Sequence, residues 1–281
     1  MSGILYLVAT PIGNLGDLTK RAADVLSAVD FIAAEDTRVT LKLLNHLGLK
    51  KPTVSYYEHN RAESGERILC RLLAGESAAL VTDAGMPAIS DPGEDLVRLC
   101  TEAGVLVRIV PGACAAVSAL ALSGLPTGRF TFEGFLSTAK KSRFEHLAAL
   151  KTEKRTMIFY EAPHKLRATL RDMLEAFGDR RISVSRELTK LHEETLSTTL
   201  SMAAAHFDDV PPRGEFVLVL EGACDTPNDT GMTLETALTI VKARLDNGMT
   251  LKDAVKSCAI DTGLPKNALY EAALKMTTEA N

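Results

Sequence analysis

Five short stretches concentrate the residues with which this chain could hold a small ligand. "TDAGMPAISDPG", residues 82–93, follows the apolar run "AALV" (78–81), and ten of its twelve residues are Gly, Pro, Ala, Ser, Thr or Asp. A connection between core elements can be two or three polar residues long, so this length and the two prolines ask for a second purpose. Gly85 opens backbone conformations that other residues avoid, Pro87 and Pro92 stiffen the path, and Asp83 and Asp91 can accept from hydroxyl or ammonium groups. Asp91, just before Pro92, is equally placed to cap a helix. "TPIGNLGD" (10–17) carries Gly13 and Gly16 without the G-x-G-x-x-G spacing, and Pro11 removes a donor that a pyrophosphate would want. "AEDTR" (34–38) gathers Glu35, Asp36 and Arg38. Asp36 or Thr37 capping the helix that follows would explain part of this motif, although two acids and an arginine exceed what a cap needs. "SYYEHN" (55–60) offers His59 and Asn60, which also suit an ordinary turn. "PGACAAVSAL" (111–120) is a turn of small residues that lets either a flat ligand or a second helix approach the backbone. Small residues, carbonyls and carboxylates with few lysines fit a ligand that is not strongly anionic. S-adenosylmethionine is such a ligand: it has a cationic sulfonium, an ammonium, ribose hydroxyls and no phosphate.

These stretches need elements to position them. From residue 3 to about 124, short apolar runs alternate with amphipathic stretches in a βαβ rhythm: strands at 4–10, 30–35, 52–57, 78–82 and 105–110, with helices near 18–28, 38–47, 62–74, 92–103 and 113–123. The nearly continuous apolar character of the strands predicts a parallel sheet covered on both faces, and each loaded stretch falls at a strand end, where open α/β sheets bind ligands. "SGLPTGR" (123–129) reads as a linker. A second set follows, with strands near 130–135, 155–161, 181–187, 194–200 and 214–222 and helices near 140–151, 164–176 and 201–207. Its less regular alternation predicts a mixed sheet. "ACDTPNDTG" (223–231) is a second linker, and 233–276 reads as two or three helices, with Pro265 opening "PKNALYEAAL". The expected domains are 1–124, 125–222 and a helical extension over 230–281.

Composition narrows the classes. Hydrophobic residues at 46% and charged residues at 24% describe an ordinary globular chain, and no apolar run approaches the ~20 residues of a membrane span. "MSGILYLVAT" has neither a basic leader region nor a cleavage pattern, so a cytoplasmic protein is expected. Five cysteines without a C-x-x-C pair argue against a disulfide framework and a zinc site; most are expected as small buried residues, and no metal is expected. Net charge is −4, yet residues 140–190 carry 13 Lys and Arg against 7 Asp and Glu. That imbalance suits either a polyanion-binding face or a solvated helix surface. Residues 229–281, with 6 basic against 7 acidic, form no phosphate track.

"TPIGNLGDLT", "AAEDTR", "VTDAGMPAISDPG", "VPGACAAVSAL", "YEAPHKL", "RELTKLHEE" and "GEFVLVLEG" occur in this order over residues 4–222, and together they resemble the tetrapyrrole-methylase superfamily. Within it the chain resembles the branch that methylates the ribose 2′-oxygen of a cytidine in bacterial small-subunit ribosomal RNA, and "PKNALY" is similar to that branch's C-terminal extension. Met86 stands where a threonine is common. The resemblance implies a two-domain α/β (class III) methyltransferase with a parallel first sheet, a mixed second sheet and a small helical extension. It also implies S-adenosylmethionine in the cleft between domains and a homodimer. Donor contacts would come from Pro11, Ile12, Asp83, Gly85, Pro87, Ile89, Cys114, Ala115, Tyr160, Leu188, Gly214 and Glu215. "EDTR", "SYYEHN" and "RELTKLHEE" mark the RNA-methylating branch.

Methyl transfer to a 2′-hydroxyl is an in-line displacement at a sulfonium carbon, so alignment should dominate the rate gain, helped by a group that takes the hydroxyl proton. Asp36, His59 and Glu187, in that order, are the candidate acceptors. Arg38 and Arg186 would position a phosphate through forked donors, with Glu35 and Asn60 beside them. Lys140, Lys141, Arg143, Lys154, Arg155, Lys165 and Arg167 would guide the RNA backbone. Methylation of a tetrapyrrole carbon on the same scaffold and non-catalytic nucleic-acid binding are the competing readings.

Overall fold

The first half of the chain builds a sheet in which every strand runs the same way. In the computed structural model, which describes residues 2–223, 234–262, 264 and 266–278, β1 (Ile4–Val8), β2 (Phe31–Ala34), β3 (Thr53–Ser55), β4 (Ala78–Val81) and β5 (Leu106–Val110) pair in the order β3-β2-β4-β1-β5. Each pairing among them is parallel. β2 and β4 are buried along their whole length, which is why they lack polar alternation. Successive side chains on β2 enter opposite cores. Phe31 and Ala33 join Ile68, Leu72 and Leu96 of α3 (Arg61–Leu73) and α4 (Glu94–Glu102), while Ile32 and Ala34 join Leu26 and Leu44 of α1 (Lys20–Ala28) and α2 (Thr37–His46).

Because the strands are parallel, all five loaded stretches emerge on one edge of the sheet. β1 and β4 are neighbours, yet β1 leads to β2 beyond β4, and β4 leads to β5 beyond β1. Adjacent strands whose connections depart in opposite directions leave a crevice between their carboxyl ends. There Thr10 and Gly85 exchange two backbone hydrogen bonds, Thr10 N to Gly85 O at 2.9 Å and Gly85 N to Thr10 O at 3.1 Å.

The second sheet is mixed, as its weaker alternation predicted. β6 (Phe130–Phe135), β7 (Thr156–Glu161), β10 (Phe216–Leu220), β8 (Arg181–Arg186) and β9 (Glu194–Thr199) lie in that order, and only β6 with β7 is parallel. One face packs on α6 (Lys140–Ala149), α7 (Pro163–Phe177) and α8 (Leu200–Asp209) through Leu147, Leu166, Leu170, Met173 and Phe207. From the other face, Ile158, Val217 and Val219 meet Ala116, Ala119 and Leu120 of α5 (Ala115–Leu122). Thus α5 joins the tips of the first sheet to the face of the second.

Met1–Gly222 forms one compact unit and Ala223–Asn281 another. In the second, α9 (Leu234–Asp246), α10 (Leu251–Thr262) and α11 (Lys266–Thr278) enclose Ala237, Val241, Val255, Cys258 and Leu269. The linker reading beyond Ala223, Cys224, and Pro265 as a helix opener lie outside the described residues. Cys100 and Cys258 are buried, whereas Cys70 is exposed on α3. Among the described residues no helix is long and apolar enough to cross a membrane.

Candidate active site

A cavity of about 340 Å³ lies where the loops after β1, β4 and β5 face the second sheet. Ile12 comes from the first loop, Gly85, Ile89 and Asp91 from the second, Cys114 from the third and Ala115 from the start of α5. Tyr160, Leu188, Glu215 and Val217 close it from the opposite side. Its lining includes three carboxylates, Asp91, Glu161 and Glu215, and no Lys, Arg or His. Such walls repel a phosphate and suit a cation with an apolar body.

The loops are held in unusual conformations. Gly85 has φ +82°, and a Cβ there would stand 3.2 Å from Ile12 Cγ2. Among the described residues, four non-glycine residues also occupy the left-handed region: Ala88 (66°) and Ser90 (62°) in the loop after β4, and Glu187 (50°) and Thr189 (67°) after β8. Each costs roughly 1–2 kcal/mol, which surrounding contacts must offset. Their confinement to two loops that both supply lining residues marks a preorganised site. Lys190 Nζ braces the second loop by donating to Glu187 Oε1 (2.9 Å) and Glu215 Oε2 (2.8 Å), and Glu193 accepts from Thr189 N at 2.6 Å. Gly214, at φ +82°, leaves room for Glu187, whose carboxyl carbon would be 2.5 Å from a Cβ placed there.

The polar lining groups differ in how committed they are. Tyr160 Oη accepts from Ala116 N at 3.1 Å, and burial pushes the phenol up to about 12, so it is neutral. Glu161, 3% exposed, accepts from Ala162 N (2.8 Å) and Thr169 Oγ1 (2.5 Å). Asp91 is different: burial first, then the nearby Glu35 and Asp83 carboxylates, push it up to about 7. It does not cap α4, whose N-cap is Gly93 with no side-chain bond. Asp91 is thus a site group that its position before Pro92 disguised as a cap.

Of the residues expected to touch the donor, Ile12, Gly85, Ile89, Cys114, Ala115, Tyr160, Leu188 and Glu215 line this cavity. Pro11 and Asp83 line a neighbouring recess of about 190 Å³ with Gly13 and Thr40. Gly214 lines another of about 390 Å³ with Arg186, Glu187, His192 and Arg213. Buried Pro87 lines none of the three and acts as a stiffener of the loop backbone. The lining residues not foreseen, among them Phe135, Ala162, Pro163 and Phe216, are ordinary strand and helix-start residues that only the approach of the two sheets turns toward the cavity.

None of the three candidate proton acceptors lines the cavity. Asp36 does cap α2, accepting from Arg38 N at 2.8 Å, and it is also ion-paired with the Arg38 guanidinium at 2.6 Å. Those bonds hold its carboxyl down to about 2. Glu187 is held below its ordinary value chiefly by its bond from Lys190. His59 is exposed, edge-on to the Tyr57 ring, while Asn60 serves the turn, accepting from Tyr57 N (2.8 Å) and donating to Ser55 O (3.1 Å). Glu35 is raised, mainly by burial, and Asp36 N donates to Asp83 Oδ1 at 3.1 Å, which ties "EDTR" to the loop after β4.

The basic stretch is largely committed internally. Arg143 pairs with Asp172 at 2.6 Å with both side chains only 16% exposed, so it braces α6 on α7 and is not available to an RNA backbone. Arg155 pairs with Glu153, and Arg167 donates to the carbonyls of Phe207 and Asp208. Arg186 pairs with Glu194. Lys140 lies over Phe144, and Lys141 stays exposed, 3.9 Å from Glu145. Among the described residues no group of three or more His, Cys, Asp or Glu is placed to hold a metal ion.

Two joined α/β sheets and a cation-free, carboxylate-bearing cleft describe a methyltransferase of the two-domain class. The chain belongs to the family of Tetrapyrrole (Corrin/Porphyrin) Methylases, which matches residues 4–204, and the RsmI C-terminal HTH domain matches residues 234–277. Ribosomal RNA small subunit methyltransferase I of Synechocystis sp. is 48% identical over 99% of this chain and 99% of its own length. The protein of that name from Bacillus subtilis is 47% identical over 96% of this chain and 94% of its own. In fold, the chain matches uroporphyrin-III C-methyltransferase of Thermus thermophilus complexed with S-adenosylhomocysteine, with a TM-score of 0.55 at 21% identity, covering 78% of this chain and 97% of that one.

Proposed function

We propose that this protein transfers a methyl group from S-adenosylmethionine to the ribose 2′-oxygen of a cytidine in small-subunit ribosomal RNA. The observation that carries the reading is the cavity, which pairs apolar walls with carboxylates and has no Lys, Arg or His in its lining. Near-full-length identity to ribosomal RNA small subunit methyltransferases supports RNA as the acceptor. Bound in the cavity, S-adenosylmethionine supplies an electrophilic methyl on a cationic sulfur. The chain's part is alignment. Ile12, Ile89, Leu188 and Val217 would hold the apolar body, with the backbone of Gly85 and Ala115 also in the lining. Asp91 attracts a hydroxyl or ammonium.

Asp36 remains the first candidate to take the ribose proton, once freed. Arg38, 87% exposed, is its main partner, and a backbone phosphate that draws Arg38 away would return the carboxylate toward its ordinary value. The two sheets are read as separate domains over 1–124 and 125–222. We read the protein as a cytoplasmic homodimer. α5, "AAVSALAL", is apolar all round yet leaves Val117 and Leu122 more than half exposed, and the edge strand β5 exposes Leu106 and Ile109 beside it in the sequence order of elements. Such a surface calls for a cover. The deciding experiment incubates the protein with labelled donor and either free small-subunit RNA or the assembled subunit, then maps the label. Label on a cytidine 2′-oxygen is expected; label confined to a tetrapyrrole offered in parallel would refute the reading.

A further inference from the structure

The seven residues 187–193 connect β8 to β9, whose end residues Arg186 and Glu194 pair across the hairpin. The base of this connection is locked. Glu187 and Thr189 sit in the left-handed region, Lys190 N donates to Glu187 O (2.9 Å), Glu193 N to Lys190 O (3.1 Å), and the Lys190 ammonium is bonded to Glu187 and Glu215. From this rigid base Leu188 turns inward to line the donor cavity at 7% exposure, while Leu191 stands out at 92%. The braced loop holds this leucine in water in a fixed position. Three residues of chain span at most about 10 Å, so whatever covers Leu191 lies close to the cavity wall that Leu188 forms.

Beside Leu191, His192 begins a recess of about 390 Å³ lined also by Arg186 and Arg213, with Val210 and Pro211. Its one acid, Glu187, is already bonded to Lys190. Arg186 is paired with Glu194, while Arg213 is exposed with no side-chain bond among the described residues, so the positive charge left to the recess is that of Arg213. A protruding apolar side chain next to a cationic hollow matches a nucleotide whose base is contacted by the leucine and whose phosphate enters the hollow.

We infer that Leu191 is a substrate-contact residue that wedges against the base flanking the methylated nucleotide, while Arg213, beside His192, holds the adjoining phosphate. This rests on the RNA reading above and deepens it. The wedge would splay the target nucleotide from the base stack and present its ribose 2′-oxygen to the donor cavity.

The test uses the full-length protein and whichever substrate the wild type methylates, free RNA or assembled subunit. Leu191→Ala should raise the KM for that substrate about tenfold, with the donor Kd within twofold and the melting temperature unchanged, and Leu191→Met should restore it. A photoreactive leucine analogue at position 191 should crosslink to a nucleotide within two of the methylated one. Arg213→Glu should weaken RNA binding and flatten its salt dependence by about 0.7 in logarithmic slope per lost phosphate. The inference is overturned if Leu191→Ala matches wild type, if the crosslink falls on a protein, if Arg213→Glu leaves the slope unchanged, or if Leu191→Ala shifts the sedimentation coefficient, which would mean that a second copy covers this residue. Should the wild type itself methylate no ribosomal RNA, the functional reading fails first and takes this inference with it.

Discussion

Asp91 predicts a pH dependence of donor binding that few other groups could produce. Half-buried beside the cavity and close to Glu35 and Asp83, its carboxyl is pushed up from 3.8 to about 7, first by burial and then by those two carboxylates. Its ionised form attracts a cationic donor and its protonated form does not, so donor affinity must rise with pH and binding must release a proton below neutrality. The ionised fraction goes from roughly one-tenth at pH 6 to roughly three-quarters at pH 7.5, about an eightfold change in apparent Kd or ~1.2 kcal/mol. The range stops there because the donor's own α-amino group begins to titrate near ~7.7. Calorimetry at pH 6.0, 6.5, 7.0 and 7.5, in buffers of different ionisation heat, reads both the affinity and the released proton. Asp91→Asn should bind with a nearly flat profile close to the weak, acidic limit of the wild type. A flat wild-type profile, or the same slope in Asp91→Asn, would refute the assignment of Asp91 to the donor.

Further predictions concern the braces. Gly214→Ala places a side chain at φ +82° and a Cβ 2.5 Å from the Glu187 carboxyl; it should destabilise the protein by about 1–3 kcal/mol, a melting drop of roughly 2–12 °C, and a shift under one degree would show that the loop yields freely. Tyr160→Phe removes the acceptor of Ala116 N at the start of α5 and should cost about 1–3 kcal/mol in denaturant unfolding; an unchanged midpoint counts against that bond. Arg38→Ala should move the Asp36 carboxyl resonance midpoint up from about 2 yet leave it below 3.8, because the bonds from backbone N–H groups of α2 persist. The sign follows: Asp36 adds stability that is full above its ordinary value of 3.8 and is lost as pH falls through about 2, and in Arg38→Ala the loss starts from the same pH but is smaller and complete at higher pH.

The elements were legible because their signals are local. Two-residue alternation, 3.6-residue periodicity and turn formers are properties of neighbours along the chain, so strands such as 78–81 and helices such as 61–73 lie within a few residues of where the pattern put them. The five loaded loops were legible too, since glycine, proline and aspartate act through their own backbone. Their meeting on one edge follows from parallel strands, and the apolar continuity of those strands announced the parallel pairing.

What tertiary structure alone decided is which charges are free. Asp91, Glu35 and Asp83 approach one another only because β2 and β4 are adjacent in the sheet, though Asp36 and Asp83 are 47 positions apart in sequence. Arg143 reads as a surface cation until α7 brings Asp172 to it from 29 residues away. Leu188 and Leu191 are the same residue type three positions apart, one against the donor cavity and one in water. Composition and periodicity cannot tell them apart. Electrostatic and burial energies depend on distance in space, and in this chain the partners that set them are distant in sequence.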